Sequence, residues 1–187
     1  MASLAQFLED NFSFSSEEIE TLLTYFEKKE LRAGEYFLKE GDYCRGVAFV
    51  ETGTIIYYQN IDGEEKVCDF AFDGDWLAQY KSMLGNVPSE INIKAIDDTS
   101  ILFTRMSQLS AMVEALPKAS IIRSVMAEKY FAESVERASS LANLKAEERY
   151  NNLLKQKPWI HNRVPQYYIA SYLGIKPQSL SRIRAMK

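Results

Sequence analysis

The last stretch of the chain, VPQYYIASYLGIKPQSLSRIRAMK (164–187), contains two short helical patterns joined by a glycine. Pro165 stands at a first-turn position, where the N–H that proline lacks would have no partner within the helix. Gly174 follows the first pattern, where a tight turn requires a positive φ angle, and Pro177 opens the second pattern. Ala170 is small enough to let the two helices cross closely. The stretch therefore predicts two short helices packed across a glycine turn.

The apolar residues of this stretch recur at helical spacing, so they define an inner and an outer face. Those that can form a small core between the helices are Ile169, Leu173, Ile175, Leu180 and Ile183. At about 100° per residue, Leu180 and Ile183 point inward, and the polar side chains of the second helix point outward. The residues on or beside this outer face are Lys176, Gln178, Ser179, Ser181, Arg182 and Ala185.

An outer face that carries Gln, Ser and Arg between small residues can enter the major groove of DNA. Arg182 could bond O6 and N7 of guanine together, and Gln178 could do the same with N6 and N7 of adenine. Lys176 precedes the second helix, where a phosphate is favoured. The pattern predicts a DNA-reading helix-turn-helix. An ordinary helical hairpin with a solvated basic face is the alternative.

The basic residues are concentrated at the C-terminal end of the chain. In total, 22 Lys and Arg stand against 26 Asp and Glu, a formal net charge of −4. All the acidic residues precede residue 149. The basic residues from that position onward are Arg149, Lys155, Lys157, Arg163, Lys176, Arg182, Arg184 and Lys187. Such an asymmetry indicates a basic module that meets a polyanion.

The composition is that of a globular protein, with 47% hydrophobic and 26% charged residues. No secretory signal and no run of about 18 apolar residues is visible, so we expect a cytoplasmic protein with no membrane partner. Cys44 and Cys68 lack metal-binding spacing, and His161, the only histidine, is expected in a loop. No nucleophile–base pair, metal cluster or phosphate-binding glycine loop is visible, so we do not expect an enzyme.

Residues 30–105 consist of short strand-like runs. Turn residues separate these β-branched and aromatic runs at a spacing of about eight to twelve, which is typical of an antiparallel sandwich or barrel. Asp62–Gly63 is the clearest hairpin turn among them. Ahead of the strands, residues 15–28 predict a capped amphipathic helix whose apolar face runs from Ile19 to Phe26.

Two more helices are predicted after the strands. The first covers residues 107–116 and stops near Pro117. The second begins at about Lys118 and continues to Ser140 or beyond, which is longer than the usual helix of three turns. Its wide apolar stripe can lie across its own β domain or pair with a second copy of the chain. The imperfect heptad pattern leaves both alternatives open.

Three stretches resemble the Crp/Fnr family of transcriptional regulators. GDYCRGVAFVETGTIIYY (41–58) resembles the early β-roll strands of the family. FAFDGDWLA (70–78) resembles its later glycine-aspartate turn. ERYNNLLKQKPWIHNRVPQYYIASYLGIKPQSLSRIR (148–184) resembles the DNA-binding half, particularly that of members from the Bacteroidetes group.

The resemblance implies an α+β fold in three parts. Residues 1–116 would form an antiparallel, cyclic-nucleotide-binding-like β-roll that serves as the effector domain. Residues 117–143 would form a dimerisation helix. Residues 144–187 would form a DNA-binding domain with a helix-turn-helix of the winged type. A homodimer that binds double-stranded DNA is implied, with RNA polymerase as a further partner.

The resemblance also assigns roles in the second helix of the terminal pair. Arg182 falls where family members place a base-contacting arginine. Gln178 falls where many members have a base-contacting glutamate, so a different base preference is expected.

The effector site departs from the family pattern. Cyclic-nucleotide binders have a glutamate that grips the ribose and an arginine, followed by Ser or Thr, that grips the phosphate. Here Gln79 stands at the glutamate position, and Pro88, followed by Ser89, stands at the arginine position. A cyclic phosphate without that arginine loses a charge-assisted pair, for which Lys81 offers only a point charge. The candidate pocket residues are Gln79, Lys81, Ser82 and Ser89.

We therefore do not expect cyclic AMP to bind in the usual mode, and no other cofactor is expected. The iron–sulfur and haem options of the family need cysteine or histidine sets that this sequence lacks. The prediction is a homodimeric, sequence-specific DNA-binding transcriptional regulator whose β-roll senses an unknown small-molecule effector or none. The alternative is a ligand-binding or protein-interaction module with a vestigial helix-turn-helix. Salt-dependent binding to a DNA duplex distinguishes the two.

Overall fold

The computed structural model describes residues 2–185, so Lys187 and the end of the predicted C-terminal domain lie outside the described residues. The strands are β1 (Glu27–Leu31), β2 (Tyr36–Leu38), β3 (Gly46–Thr52), β4 (Ile55–Ile61), β5 (Glu64–Ala71), β6 (Trp76–Leu77), β7 (Asn92–Ala95) and β8 (Thr99–Arg105). The helices are α1 (Leu4–Phe12), α2 (Ser16–Leu23), α3 (Tyr80–Gly85), α4 (Met106–Ala115), α5 (Ser120–Asn143), α6 (Ala146–Gln156), α7 (Ile160–Arg163), α8 (Gln166–Tyr172) and α9 (Pro177–Ala185). None of the described helices is long and apolar enough to cross a membrane.

The strands form two four-stranded antiparallel sheets that enclose a core. One sheet has the order β1-β8-β3-β6 and the other has the order β2-β7-β4-β5. Val50 and Ile101 of the first sheet and Ile55 and Ile93 of the second are buried together. Apolar burial of this kind stabilises the fold by roughly 25 cal/mol per Å². The predicted antiparallel β-roll is confirmed.

The β4–β5 hairpin turns at Asp62–Gly63, as predicted. The two turn residues have φ angles of 54° and 79°, which are those of a two-residue type I′ turn. Further along the hairpin, a β-bulge leaves Cys68 without a residue directly opposite it in the β4–β5 register. This bulge places both Val67 and Phe70 in the apolar cluster on the outer side of the sheet.

The outer face of the first sheet is covered by the N-terminal helices and α4. The cap predicted for α2 is confirmed, because Ser15 and Glu18 form a reciprocal capping box. The helix ends at Leu23, however, so the prediction that it reaches Phe26 is wrong. The N–H of Phe26 bonds to the carbonyl of Leu23, three residues back, and the chain then enters β1. Phe26 still packs in the same cluster.

Helix α1 was not predicted from the sequence. Ser3 caps it through a hydrogen bond from the N–H of Gln6, and it buries Leu4, Leu8 and Phe12. These three residues are four apart, so the helical spacing was present in the sequence. The helix has only nine residues, and its position depends on packing against the sheet.

Helices α4 and α5 confirm the two helices predicted after the strands. Helix α5 has 24 residues and begins after a 3-10 turn at Pro117–Ala119. Within α5 only Ile122 is buried, and Phe131 is 70% exposed. The large apolar side chains that α5 exposes are Ile121, Val125, Tyr130, Phe131, Val135 and Leu141. Most of its apolar stripe is therefore not covered by the described part of its own chain.

The C-terminal helices pack on the outer face of the second sheet. The strand side of this joint core consists of Ile56, Tyr58, Val67, Phe70 and Phe72. The helix side consists of Tyr150, Leu153, Ile160, Val164, Tyr168, Ile169, Ala170, Leu173 and Leu180. The division into domains at residues 117 and 144 stays a prediction, but the first and third parts share one core. Residues 144–185 form helices and no strand, so the expected wing does not occur within that range.

Polar contacts reinforce this packing along the edge strand β5. The Ser171 hydroxyl accepts a hydrogen bond from the N–H of Val67 (2.9 Å) and donates one to the carbonyl of Glu65 (3.0 Å). Ser171 thereby satisfies two backbone groups that an edge strand would otherwise leave unpaired. Arg163 donates to the carboxylate of Asp73 (2.9 Å) and to the carbonyl of Gly53 (2.6 Å). The helices are thus fixed to the roll at two separate places.

Candidate nucleic-acid interface and effector pocket

Helices α8 and α9 form the predicted two-helix unit around Gly174. This glycine has a φ angle of 67°, in the left-handed region that disfavours side chains. The N–H of Gly174 donates to the carbonyl of Ser171 (3.0 Å), and the N–H of Ile175 donates to the carbonyl of Ala170 (3.0 Å). This pair of bonds is the Schellman motif that ends a helix. The predicted pair of short helices joined by a glycine turn is therefore present.

Helix α9 presents the predicted outer face to solvent. Leu180 is fully buried, and Ile183 packs against the same core. The exposed residues are Lys176, ahead of the helix, and Gln178, Ser181, Arg182 and Ala185. Ser179 is half-buried at the flank. The structure therefore brings the six candidate residues to one side of the unit, and their contact with DNA stays a prediction.

Arg182 and Ser181 differ in how much hydrogen-bonding capacity they keep for a partner. Within residues 2–185, Arg182 makes no hydrogen bond or ion pair, so its guanidinium donors remain available. The Ser181 hydroxyl is already engaged. It donates to the carbonyl of Pro177 (3.1 Å) and accepts from Nε2 of Gln166 (2.7 Å).

Several cations of the basic C-terminal segment bind within the protein. Arg149 donates to the carbonyls of Leu173 (2.8 Å and 3.0 Å) and Leu144 (2.6 Å), and Arg163 binds the roll. Arg184 donates to Oε1 of Gln166 (3.2 Å). These arginines keep their positive charge, but part of their hydrogen-bonding capacity is used within the protein, and Arg163 is also paired with Asp73.

His161 was expected in a loop, and this prediction is wrong. It lies in the short helix α7, which forms because Ile160 is buried in the joint core. Its Nε2 is 2.8 Å from the hydroxyl of Tyr150. Burial and the nearby Arg184 lower the pKa of His161, so the imidazole is neutral at neutral pH. In the described part of the chain, no group of three or more His, Cys, Asp or Glu side chains could hold a metal ion.

Two of the four predicted pocket residues build the loop around α3. Gln79 is the N-cap of α3, and its side-chain oxygen accepts a hydrogen bond from the N–H of Ser82. Ser82 is buried. Its hydroxyl donates to the carbonyl of Val87 (2.6 Å) and accepts from the N–H of Cys44 (2.9 Å). The Gln79 side-chain oxygen and the Ser82 hydroxyl are therefore paired within the protein.

The other two predicted pocket residues are also paired. Lys81 is exposed and forms an ion pair with Glu90. Ser89 is buried, and its hydroxyl donates to the carbonyl of Ile91 (2.7 Å). Pro88, at the position of the expected arginine, is exposed. A phosphate beside Lys81 would also meet the Glu90 carboxylate, which weakens its binding there.

The space between the two sheets is filled by the side chains of the roll. Tyr57 of β4 packs against the inner core. Burial raises the pKa of its hydroxyl well above the ordinary value, and the nearby Asp69 adds to the shift. Outside this core, Tyr80 of α3 stacks on Tyr130 of α5, with 4.9 Å between ring centroids.

An open cleft of about 690 Å³ lies elsewhere on the roll, beside β2 and the loop that follows it. It is lined by Tyr36, Phe37, Leu38, Lys39, Gly41, Asp42, Tyr43, Cys44, Arg45 and Phe103. None of the four predicted pocket residues lines this cleft.

Residues 28–115 match the family model of the cyclic nucleotide-binding domain. This match covers 88 of the 187 residues of the chain. A search of the curated proteins finds no match to the sequence.

The β-roll and the helices after it are together similar to solved structures over most of their length. FixK2 from Bradyrhizobium japonicum aligns at 19% identity with a TM-score of 0.74, over 86% of this chain and 83% of that one. The catabolite activator protein of Thermus thermophilus aligns at 17% identity with a TM-score of 0.62, over 96% of this chain and 85% of that one. A protein from Eubacterium rectale, assigned to the Crp/Fnr family of transcriptional regulators, aligns at 16% identity with a TM-score of 0.68. The alignment covers 96% of this chain and 85% of that one. The predicted Crp/Fnr architecture is confirmed as the fold of this chain.

A junction between the β-roll and the later helices was missed by the sequence analysis. Arg137 of α5 donates to the carbonyls of Tyr172 (3.2 Å) and Val67 (3.4 Å), and its guanidinium lies 3.8 Å from the centroid of the Tyr172 ring. Asp69 of β5 lies nearby. Burial raises the pKa of its carboxyl to about 6, although the N–H of Phe70 and the charge of Arg137 oppose the shift. No local pattern marks these residues, because their partners are distant in the sequence.

Proposed function

We propose that the chain is a sequence-specific DNA-binding transcriptional regulator that acts in the cytoplasm as a homodimer. The observation that carries the proposal is the exposed face of α9, which presents Gln178 and Arg182 beside Lys176 on a rigid two-helix unit. A helix of this kind fits the major groove, where Arg and Gln make bidentate contacts with bases. RNA polymerase is the further partner that regulation of transcription requires.

The partner proposed for α5 is a second copy of the same helix. The apolar side chains that α5 exposes include Ile121, Val125, Phe131 and Val135, over a length of several turns. If two copies of α5 pair about a two-fold axis, each copy buries the same side chains against the other copy. Such a dimer would also present two copies of α9 to half-sites about one turn of DNA apart.

For the effector, we propose that cyclic AMP does not bind in the usual mode. Gln79 and Pro88 replace the residues that grip the ribose and the phosphate, and Lys81 is paired with Glu90. The inner core of the roll consists of apolar side chains, with Tyr57 packed against it. The roll therefore responds to a different small molecule or to none.

The test is selection of duplexes from a randomised DNA library by the purified full-length chain. The expected result is one enriched palindrome, bound more tightly than a scrambled duplex, with an affinity that falls as salt rises. Light scattering of the complex should give two chains per duplex. If no duplex is enriched and no salt-dependent binding occurs, the chain is a ligand-binding or protein-interaction module with a vestigial helix-turn-helix.

A further inference from the structure

Gln166, in the first turn of α8, bonds to two residues of α9. Its Nε2 donates to the hydroxyl of Ser181 (2.7 Å), and its Oε1 accepts from Nη1 of Arg184 (3.2 Å). Ser181 and Arg184 are three residues apart, so one amide side chain spans adjacent turns of α9. Gln166 itself is half-buried, which restricts the rotamers that its side chain can adopt.

The direction of every hydrogen bond in this group is determined by the chemistry of its ends. The guanidinium of Arg184 can only donate, so the amide atom that faces it is the oxygen of Gln166. The amide nitrogen then faces Ser181, whose hydroxyl must accept from it. The carbonyl of Pro177 can only accept, so the Ser181 hydroxyl donates its proton there (3.1 Å). The bonds therefore run in one direction, from Arg184 through Gln166 and Ser181 to Pro177.

This arrangement leaves the Ser181 hydroxyl able to accept, but not to donate, a hydrogen bond on its solvent side. A hydroxyl has one donor hydrogen and two acceptor lone pairs. Pro177 takes the donor and Gln166 takes one lone pair, so a single acceptor remains. Ser181 is exposed, and together with Gln166, Arg184 and Ala185 it lines a shallow groove of about 330 Å³ at the side of the α9 face.

We propose that Gln166 is a positioning residue that presents Ser181 to DNA as a hydrogen-bond acceptor only. This inference rests on the proposed function. In the major groove the donors are the amino groups of adenine and cytosine, whereas guanine and thymine offer acceptors at the matching edge. At the base that Ser181 faces, adenine or cytosine is therefore preferred on the contacted strand. Without Gln166, no N–H group occupies that side of the hydroxyl, so its proton can turn from the Pro177 carbonyl into the vacated groove, and the preference is relaxed.

The experiment uses the full chain and the duplex enriched from the randomised library. The variants are Gln166→Met, Ser181→Ala and the double substitution. Gln59→Met on β4, which is also half-buried, serves as the matched control. Affinities are measured for the enriched duplex, for a scrambled duplex and for duplexes with each base pair replaced in turn.

Gln166→Met should weaken binding to the enriched duplex about fivefold, the effect of one hydrogen bond, and leave the scrambled duplex within about twofold. The double variant should be no weaker than the weaker single variant, because both substitutions disrupt the same arrangement. The base pair at which Ser181→Ala loses discrimination should be the one at which Gln166→Met loses it. Gln59→Met should change none of these affinities.

Three results would overturn the role of Gln166 while leaving the proposed function standing. The single substitutions could be additive, Gln166→Met could weaken both duplexes equally, or the base under Ser181 could be guanine or thymine in the enriched site. If the unsubstituted chain enriches no duplex at all, the proposed function and the role of Gln166 are both wrong.

Discussion

Asp69→Asn should stabilise the folded chain at neutral pH by an amount that depends on pH. Burial raises the pKa of Asp69 from its ordinary 3.8 to about 6, against the opposing influence of Phe70 N–H, Arg137 and Lys157. A shift of this size corresponds to about 3 kcal/mol. Because part of the residue remains in contact with solvent, we expect about 1–3 kcal/mol of the stability difference to be measurable. The neutral amide of Asn has no charge to desolvate, and its oxygen can accept the same bond from the N–H of Phe70 (2.8 Å).

The sign of the pH effect follows from the raised pKa. The folded state binds the Asp69 proton more tightly than the unfolded state does. The contribution to stability is therefore fully present below about pH 4 and is lost as the pH rises through about 6. The neutral side chain of the Asp69→Asn variant should not lose stability over this range. The difference in stability between variant and wild type should consequently grow between pH 4 and pH 7.5 and then stay constant.

Urea unfolding of both proteins at about pH 4.5 and pH 7.5 measures this difference through the midpoint. Asp10→Asn, at an exposed position of α1, is the matched control for the loss of a carboxylate that is not buried. A midpoint for Asp69→Asn that is lower than wild type at pH 7.5 would refute the reasoning, since the carboxylate would then stabilise the fold. An equal midpoint difference at the two pH values would show that burial does not control the titration of Asp69.

Three further predictions test the proposed function. Arg182→Ala should reduce the free energy of binding to the enriched duplex by about 1–3 kcal/mol and relax discrimination at one base pair per half-site. Lys176→Ala should instead weaken binding to all duplexes alike. Lys39→Ala, at an exposed position on the roll, is the charge-matched control. If Arg182→Ala lost equal affinity for the enriched and scrambled duplexes, Arg182 would not read a base. Phe131→Asp should convert the dimer to a monomer in light scattering at micromolar concentration without changing the circular dichroism, and an intact dimer would contradict pairing through α5. Calorimetric titration with cyclic AMP should show no submicromolar site; such a site, if lost in Lys81→Ala, would contradict the proposed departure from the usual mode.

Local structure in the terminal unit was predictable because it depends on neighbours in the sequence. The positive φ angle of Gly174, the start of α9 at Pro177 and the burial of Leu180 all follow from preferences within one or two turns. The turn at Asp62–Gly63 is a further example, since its type is set by two residues.

The roles of the polar residues in the same unit could not be predicted in this way. Ser181 has the position of a base-reading residue, but its donor is already used, because Gln166 and Pro177 bind its hydroxyl. Arg149 and Arg163 contribute to the basic segment in the sequence and bind carbonyls of the protein in the fold. A charge or a hydroxyl can be counted from the sequence, whereas its partner depends on which segments meet.

The sequence by itself determined an antiparallel β domain, the long helix and the outward face of α9, because each depends on periodicity and on turn residues. The β-roll was implied by the family resemblance. Only the tertiary structure decided that the C-terminal helices pack on the roll. On β4, Ile55 and Tyr57 face the inner core, while Ile56 and Tyr58 face the helices. A strand that is apolar on both faces requires a cover on each side. The alternation of side chains along β4 does not show which segment covers its outer face. That contact joins segments far apart in the sequence, so it depends on the apolar surface that both segments bury.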